Sequence, residues 1–221
     1  LLQAARKTGA DAIHPGYGFF SENALFIEEV EKSGITFIGP SSKSVKMTGS
    51  KTAARTLMSK NNVPVVPGTL EAIKNVEEGI EFSEKIGFPV LLKASAGGGG
   101  KGMRKVLGKE EFKSAFESTK REALKSFAND EVYIEKFIEN PKHIEVQVIA
   151  DKHGNYRHVF ERECSIQRRH QKIIEEAPSA FVDEITRNKI TTAAIQAAKA
   201  CGYYNAGTIE FLMDSDKDFY F

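Results

Sequence analysis

Residues Lys93–Arg104 read KASAGGGGKGMR and directly follow the apolar run FPVLL at 88–92. Four consecutive glycines are costly to order, because glycine loses more backbone freedom on folding than any other residue and brings no side chain to a core. A glycine run in this position is therefore expected to have a specific use. The strand-forming residues before it and after it predict a hairpin with the glycines at its tip.

The residues after the glycines argue against two common phosphate-binding motifs. The spacing G-x-G-x-x-G occurs at Gly97, Gly99 and Gly102, but a dinucleotide site opens a helix there, whereas MRKVLG at 103–108 alternates like a strand. A Walker A loop needs Ser or Thr where Gly102 stands. Two alternatives remain, a flexible surface hairpin and a flap whose backbone N–H groups bind a polyphosphate. Lys93 favours the flap, because its ammonium group suits phosphate.

The composition of the 221-residue chain is ordinary for a globular protein. Lys and Arg number 31 against 30 Asp and Glu, so bulk charge predicts neither a nucleic-acid partner nor a membrane surface. Cys164 and Cys201 fit no metal spacing and favour two reduced thiols of a cytoplasmic protein, or of the mitochondrial matrix in a eukaryote. The chain begins without Met and ends on DFYF at 218–221, which reads as an unfinished strand. We therefore expect an internal fragment of a longer protein.

The pattern of apolar residues predicts the fold class α/β (α+β). Residues 1–39 alternate helix, strand, helix, strand, which favours the end of a parallel α/β layer. Two short helices separate near Gly49, and VPVVPG at 63–68 predicts a linker. Further helices are predicted at 76–87, 109–127 and 183–201, strands at 88–95, 103–108, 131–138, 143–151 and 156–164, and a hairpin from 206–213 and 218–221.

Two further features carry chemistry. SIQRRHQK at 165–172 places two arginines, a histidine and a lysine within five residues, a cluster suited to anions, with a solvated basic loop as the alternative. Glu210 alternates with Ile209 and Phe211, so it lies on the opposite face of its strand. A carboxylate that faces inward there needs a partner such as a divalent cation. DSDKD at 214–218 lacks the glycine of a calcium loop and predicts a hairpin turn.

Lys93 with its glycine flap, YIEKFI at 133–138 and GTIEFL at 207–212 together resemble the ATP-grasp fold. HPGYGFFSEN at 14–23, ENPKHIEVQV at 139–148 and ERECSIQRRHQKIIEEAP at 161–178 resemble, more narrowly, the biotin carboxylase family, and the likeness runs in order over essentially the whole chain. It implies that 1–49 end a Rossmann-like N-terminal domain. It also implies a truncated ATP-grasp domain at 50–221, with a lid at 65–137 and part of the central sheet at 138–221.

The resemblance also implies a site. Lys51 and Lys93 would contact the phosphates of ATP, and a hinge segment at 135–138 would contact the adenine. Glu210 would bind Mg²⁺ or Mn²⁺. Lys172 and His170 would be catalytic, with Lys172 holding bicarbonate. The full set of nucleotide contacts implied is Lys51, Lys93, Gly99, Gly100, Glu135, Lys136, Ile138, His143, Gln167, His170 and Glu210.

The implied reaction is a ligase reaction in two steps. ATP activates bicarbonate as carboxyphosphate, and biotin on a carrier domain is then carboxylated. The implied partners are a biotin carboxyl carrier protein or domain, a carboxyltransferase subunit or domain, and a second copy in a homodimer. The family pattern continues beyond Phe221 with a second metal ligand and a bicarbonate base, so we expect the fragment to be inactive alone. The alternatives are another ATP-grasp ligase, such as a carbamoyl-phosphate synthetase half, and a non-catalytic nucleotide-binding fragment.

Overall fold

A computed structural model describes residues 1–49, 51–95, 102–168 and 171–221, without the side chains of Lys51, Thr52 and Phe127. The described chain forms two compact units: Leu1–Val65 with Asn140–Phe221, and Val66–Glu139. The helices are α1 (Leu2–Thr8), α2 (Ala24–Lys32), α3 (Ser42–Gly49), α4 (Lys51–Lys60), α5 (Val76–Ile86), α6 (Lys109–Phe127) and α7 (Glu184–Ala200). The strands are β1 (Ala12–Ile13), β2 (Thr36–Phe37), β3 (Val90–Ala94), β4 (Met103–Val106), β5 (Val132–Lys136), β6 (Lys142–Ala150), β7 (Tyr156–Arg168), β8 (Gln171–Glu176), β9 (Asn205–Met213) and β10 (Phe219–Tyr220).

The beginning of the chain forms the parallel layer that its alternation predicts. Strands β1 and β2 pair in parallel, with Ala12 opposite Thr36. The connecting helix α2 is capped by Asn23, whose side chain accepts a hydrogen bond from the backbone N–H of Phe26. This cap satisfies one of the donors that every helix leaves open at its first turn. The apolar face of α2 is buried through Ile27 and Val30.

A five-stranded antiparallel sheet dominates the larger unit. Its strand order is β10-β9-β6-β7-β8, and α7 packs on one of its faces. Helix α7 is capped by Asp183, the predicted N-cap, whose carboxylate accepts a hydrogen bond from the backbone N–H of Thr186 at 2.8 Å. The alanines of α7 lie against the apolar side chains of β6 and β9, which forms the main core. The predicted end of β7 at Cys164 was wrong, because the strand continues to Arg168, and strand β8 at 171–176 was not predicted.

The smaller unit contains the hairpin predicted around the glycine run. Strand β3 lies between β4 and β5 in an antiparallel sheet, with Lys93 opposite Met103 on one side and Tyr133 on the other. One face of β3, with Val90 and Leu92, packs against α5 and α6. Helix α5 ends at Gly87, which has a φ of +78° and is the predicted C-cap. The strand–turn–strand prediction is confirmed for the residues on both sides of the run.

Candidate functional site

The two faces of the five-stranded sheet differ in chemistry because side chains alternate along each strand. Ile144, Val146 and Val148 point into the core beneath α7. Glu145 lies between them in sequence and therefore on the opposite face. It is paired across β6 and β9 with Glu210, and across β6 and β7 with Arg162. The register alone thus brings three charged side chains from neighbouring strands together.

Lys172 from β8 completes what we call the sheet cluster, which consists of Glu145, Arg162, Lys172 and Glu210. The ammonium group of Lys172 contacts Glu145 Oε2 and lies 2.5 Å from Glu210 Oε1. On the other side of Glu145, Arg162 Nε donates to Oε1 at 2.8 Å. Four strands of one sheet each contribute one charge, so that two cations alternate with two carboxylates.

Gln147 fixes the far end of the sheet cluster. Its side-chain oxygen accepts from Arg162 Nη1 at 3.1 Å, and its Nε2 donates to the carbonyl of Gly207 on β9 at 2.8 Å. Arg162 is therefore held by a carboxylate and an amide that are themselves anchored. This arrangement restricts the rotamers of both Arg162 and Glu145, and it presents Lys172 and Glu210 at the more exposed end.

The electrostatics of the sheet cluster keep its buried carboxylate ionised. Burial raises the pKa of Glu145, but hydrogen bonds from Lys172 and Arg162 outweigh it, so the pKa lies below its ordinary value of 4.5. Burial alone would lower the pKa of Lys172, whereas Glu145 and Glu210 together raise it above its ordinary value of 10.5. At neutral pH, Lys172 is a fixed positive charge beside two carboxylates.

A second, partly buried carboxylate on the same sheet is also held ionised. Burial opposes ionisation of Glu163, but Lys142 and the hydroxyls of Ser179 and Ser165 lower its pKa below 4.5. Lys142 Nζ lies 2.8 Å from Glu163 Oε1, and Ser179 Oγ lies 2.7 Å from Oε2. Glu163 thus ties the start of β6 to the segment that precedes α7.

The depressed pKa values of Glu145 and Glu163 predict a loss of stability in acid. The unfolded chain takes up these protons at a higher pH than the folded chain, so the stabilisation is present above about 4.5 and is lost as the pH falls through the folded-state pKa values. We expect the free energy of unfolding, measured with urea, to decrease between about pH 5 and about pH 3. Glu163→Gln removes one of the groups and should reduce this slope; an unchanged slope would contradict the assignment.

Lys93 has a specific partner in the smaller unit. Its ammonium group contacts Glu135 Oε2 from the neighbouring strand β5, and both side chains are mostly buried. The predictions gave Glu135 a role through its backbone, and the structure adds this side-chain contact. Lys93 is thereby held near the end of β3, four positions before Gly97, the first glycine of the run.

The remaining predicted site residues lie in different surroundings. Lys136 Nζ donates to the carbonyls of Gly87 and Phe88 at 2.9 and 3.1 Å, and Ile138 follows the end of β5 half-buried. The backbone N–H of His143 donates to Ser165 Oγ at 3.0 Å. Gln167 Nε2 donates to the carbonyl of Cys164 at 3.0 Å. Gly99, Gly100, His170 and the side chain of Lys51 lie outside the described residues.

Sequence reasoning missed Glu145 and Arg162. The signal for Glu145 was present, because the polar residues of HIEVQV alternate with apolar ones and place Glu145 and Gln147 on one face. Nothing in the local pattern indicated which residue of β7 would lie opposite. Arg162 could be assigned only from the register between β6 and β7.

Cys164 does not extend the sheet cluster into a metal site of its own. Glu145, Cys164 and Glu175 bring one ligand atom each within 4.8 Å of one another. Burial, however, raises the pKa of the Cys164 thiol to about 11, so that deprotonation of the sulfur for metal binding is costly. Glu145 is also already held by two cations. Both cysteines are free and buried, in agreement with the prediction of reduced thiols.

Known proteins match the chain along its whole length. Residues 1–45 match the family described as "Biotin carboxylase, N-terminal domain", and residues 50–221 match "Carbamoyl-phosphate synthase L chain, ATP binding domain". Biotin carboxylase 2 from Bacillus subtilis (strain 168) is 52% identical over 221 residues, which are 100% of this chain and 50% of that protein. The chain belongs to the second of these families, and the relatives that it matches over its whole length include biotin carboxylases. The predicted ATP-grasp fold and the resemblance are thereby confirmed.

Solved structures of biotin carboxylases also match the fold of this chain. A Campylobacter jejuni biotin carboxylase, in a β,γ-ATP complex, has a TM-score of 0.85 and 50% identity over 100% of this chain and 49% of that chain. A second structure is the biotin carboxylase domain dimer of Hydrogenobacter thermophilus 2-oxoglutarate carboxylase, with MgADP, ADP and bicarbonate. It has a TM-score of 0.83 and 47% identity, and the match covers 100% of this chain and 49% of that chain. The chain spans about half the length of these relatives. Among the described residues, no helix is long and apolar enough to cross a membrane.

Proposed function

We propose that the full-length protein is an ATP-dependent biotin carboxylase, which activates bicarbonate with ATP and carboxylates biotin on a carrier protein or domain. The observation that carries this proposal is the position of Lys172, held between Glu145 and Glu210 on the open face of the sheet. A fixed ammonium group with a remaining N–H donor suits a small oxyanion. The match of residues 1–45 to a biotin carboxylase domain favours this reaction over a carbamoyl-phosphate synthetase.

The residues that would position the substrates follow from their surroundings. Lys93, fixed by Glu135 beside the glycine run, would bind phosphate oxygens of ATP, and the backbone of 135–138 would contact the adenine. Lys172 would hold bicarbonate in line with the γ-phosphate. His143, Gln167, Lys51, Gly99, Gly100 and His170 stay predictions by resemblance. Such a reaction depends on positioning and on neutralising charge rather than on a protein nucleophile.

Glu210 fits the divalent ion that the family uses with ATP. Its side chain is 68% exposed and offers hard oxygen ligands. Mg²⁺ commonly binds through one or two carboxylates together with substrate phosphates while keeping several waters. When bound, Mg²⁺ or Mn²⁺ would neutralise charge that develops on the phosphates. The assignment of Glu210 as a ligand is part of the proposal.

The division of the chain into two compact units supports the proposed domains. The compact unit Val66–Glu139 has its own core and nearly the bounds of the proposed lid at 65–137. We also propose a carboxyltransferase partner and a homodimer, supported by the dimeric relative from Hydrogenobacter thermophilus. That residues 1–221 alone turn over no ATP stays a prediction.

The proposed function predicts phosphate release that requires both bicarbonate and biotin. In the full-length protein we expect Lys93→Ala to raise the Michaelis constant for ATP roughly ten- to a hundredfold, because it removes a charge-assisted contact. Phosphate release would be measured with free biotin at varied ATP.

The matched control for Lys93→Ala is Lys109→Ala. Lys109 begins α6 in the same unit and pairs with Glu84 at 3.0 Å on an exposed surface, so its loss should leave the ATP kinetics unchanged. If both variants had the same Michaelis constant for ATP, Lys93 would not contact the nucleotide. Phosphate release that does not depend on biotin would refute the proposed function itself.

A further inference from the structure

The two carboxylates that share Lys172 have unequal surroundings. The Glu145 side chain is 5% exposed and has a second cation, Arg162, on its other side. The Glu210 side chain is 68% exposed, and within the described ranges the only cation paired with it is Lys172. Lys172 therefore has one permanent partner and one partner that solvent can reach.

The charges of the sheet cluster cancel in this arrangement. Glu145 and Glu210 balance Arg162 and Lys172, and Glu175 Oε2 lies 3.6 Å from Arg162 Nε, so an anion that approaches Lys172 meets no net positive charge. Two of the three N–H donors of Lys172 are already used by carboxylates. A divalent cation at Glu210 would change both conditions, because it would leave the cluster with a net positive charge and release one donor.

We infer that Lys172 and a divalent cation compete for Glu210, and that cation binding there releases Lys172 to bind the anionic substrate. The inference rests on the proposed function and adds a thermodynamic coupling between its metal and anion sites. Because such coupling is reciprocal, bicarbonate must also tighten the binding of the cation. Arg162 makes the exchange possible, since it keeps Glu145 paired whichever partner Lys172 has.

The coupling predicts a gain of metal affinity on removal of Lys172. We expect Lys172→Gln to tighten Mn²⁺ binding to the full-length protein without nucleotide by about tenfold or more, because Glu210 loses its competing partner. Free Mn²⁺ would be measured by electron paramagnetic resonance. Lys172→Arg keeps the competitor and should change this affinity little. Glu210→Gln should abolish the gain when combined with Lys172→Gln.

A matched variant separates the coupling from loss of charge in general. Lys142 lies on β6 of the same sheet and pairs with Glu163, so Lys142→Gln removes one positive charge without touching Glu210. We expect no tightening of Mn²⁺ binding in this variant. In the wild type, bicarbonate should tighten Mn²⁺ binding roughly fivefold or more, and in Lys172→Gln it should have no effect. Near-ultraviolet circular dichroism would verify that each variant is folded.

The outcomes distinguish the coupling from the proposed function. If Glu210→Gln weakens Mn²⁺ binding but Lys172→Gln leaves it unchanged or weakens it, the competition is refuted while the metal role of Glu210 stands. If Glu210→Gln has no effect on Mn²⁺ binding, both the competition and that metal role are refuted. Biotin-dependent phosphate release by the wild type is a separate measurement. If it is observed, the proposed function stands whichever result the Mn²⁺ binding experiment gives.

Discussion

Lys172→Gln is expected to lower bicarbonate-dependent ATP cleavage by the full-length protein roughly a hundredfold or more, while ATP affinity changes little. Removal of one preorganised electrostatic group at a reacting centre commonly has an effect of this size. Lys172 is preorganised because Glu145, which Arg162 also holds, fixes its ammonium group. Steady-state phosphate release at varied bicarbonate, together with calorimetry of ATP binding, would measure the two quantities separately.

The control for this variant is Lys199→Gln. Lys199 lies exposed on α7, which packs on the face of the sheet opposite the sheet cluster, so the substitution should leave both quantities unchanged. Lys172→Arg should retain part of the activity, because it keeps the charge but changes the donor geometry. If Lys172→Gln reduced ATP affinity as much as ATP cleavage, Lys172 would belong to the nucleotide site.

Arg187→Met is expected to reduce the free energy of unfolding by about 3–5 kcal/mol, because it leaves a buried carboxylate without its counter-ion. Glu161 on β7 has a side chain with 0% exposure, and Arg187 Nε lies 2.9 and 3.0 Å from its two oxygens. Arg187 Nη2 also donates to the carbonyl of Val182 at 2.9 Å. Urea unfolding at neutral pH, followed by circular dichroism, would measure the change.

Two comparisons separate the buried pair from the loss of an arginine in general. Arg121→Met, on α6, removes a surface arginine whose nearest carboxylate is 4.0 Å away, and should change the free energy of unfolding by less than about 1 kcal/mol. Combining Glu161→Gln with Arg187→Met should recover part of the lost stability, since no unpaired charge remains. A loss in Arg187→Met no greater than in Arg121→Met would contradict the importance of the pair.

Local sequence patterns determined most helices and strands, and they determined which sheet face carries Glu210. Alternation along HIEVQV and TIEFLM separated apolar from polar positions, so the face that carries Glu210 could be predicted, but the side chain is exposed there and does not face inward as expected. The glycine run between two strand-forming segments predicted the β3–β4 hairpin, and Asp183 marked the start of α7. These features depend on residues within a few positions of one another, which is the range over which backbone preference and periodicity act.

Only the tertiary structure decided which charged residues meet. Strand β8 was missed because its partner, β7, supplies the hydrogen bonds that make 171–176 a strand, and a mixed polar segment has no periodicity of its own. The contact of Lys172 with Glu145 and Glu210 depends on the strand order β9-β6-β7-β8 and on its register, since a shift of one residue would turn each side chain to the other face. Strand order and register are set by long-range pairing and core packing, so no local stretch of the sequence contains them.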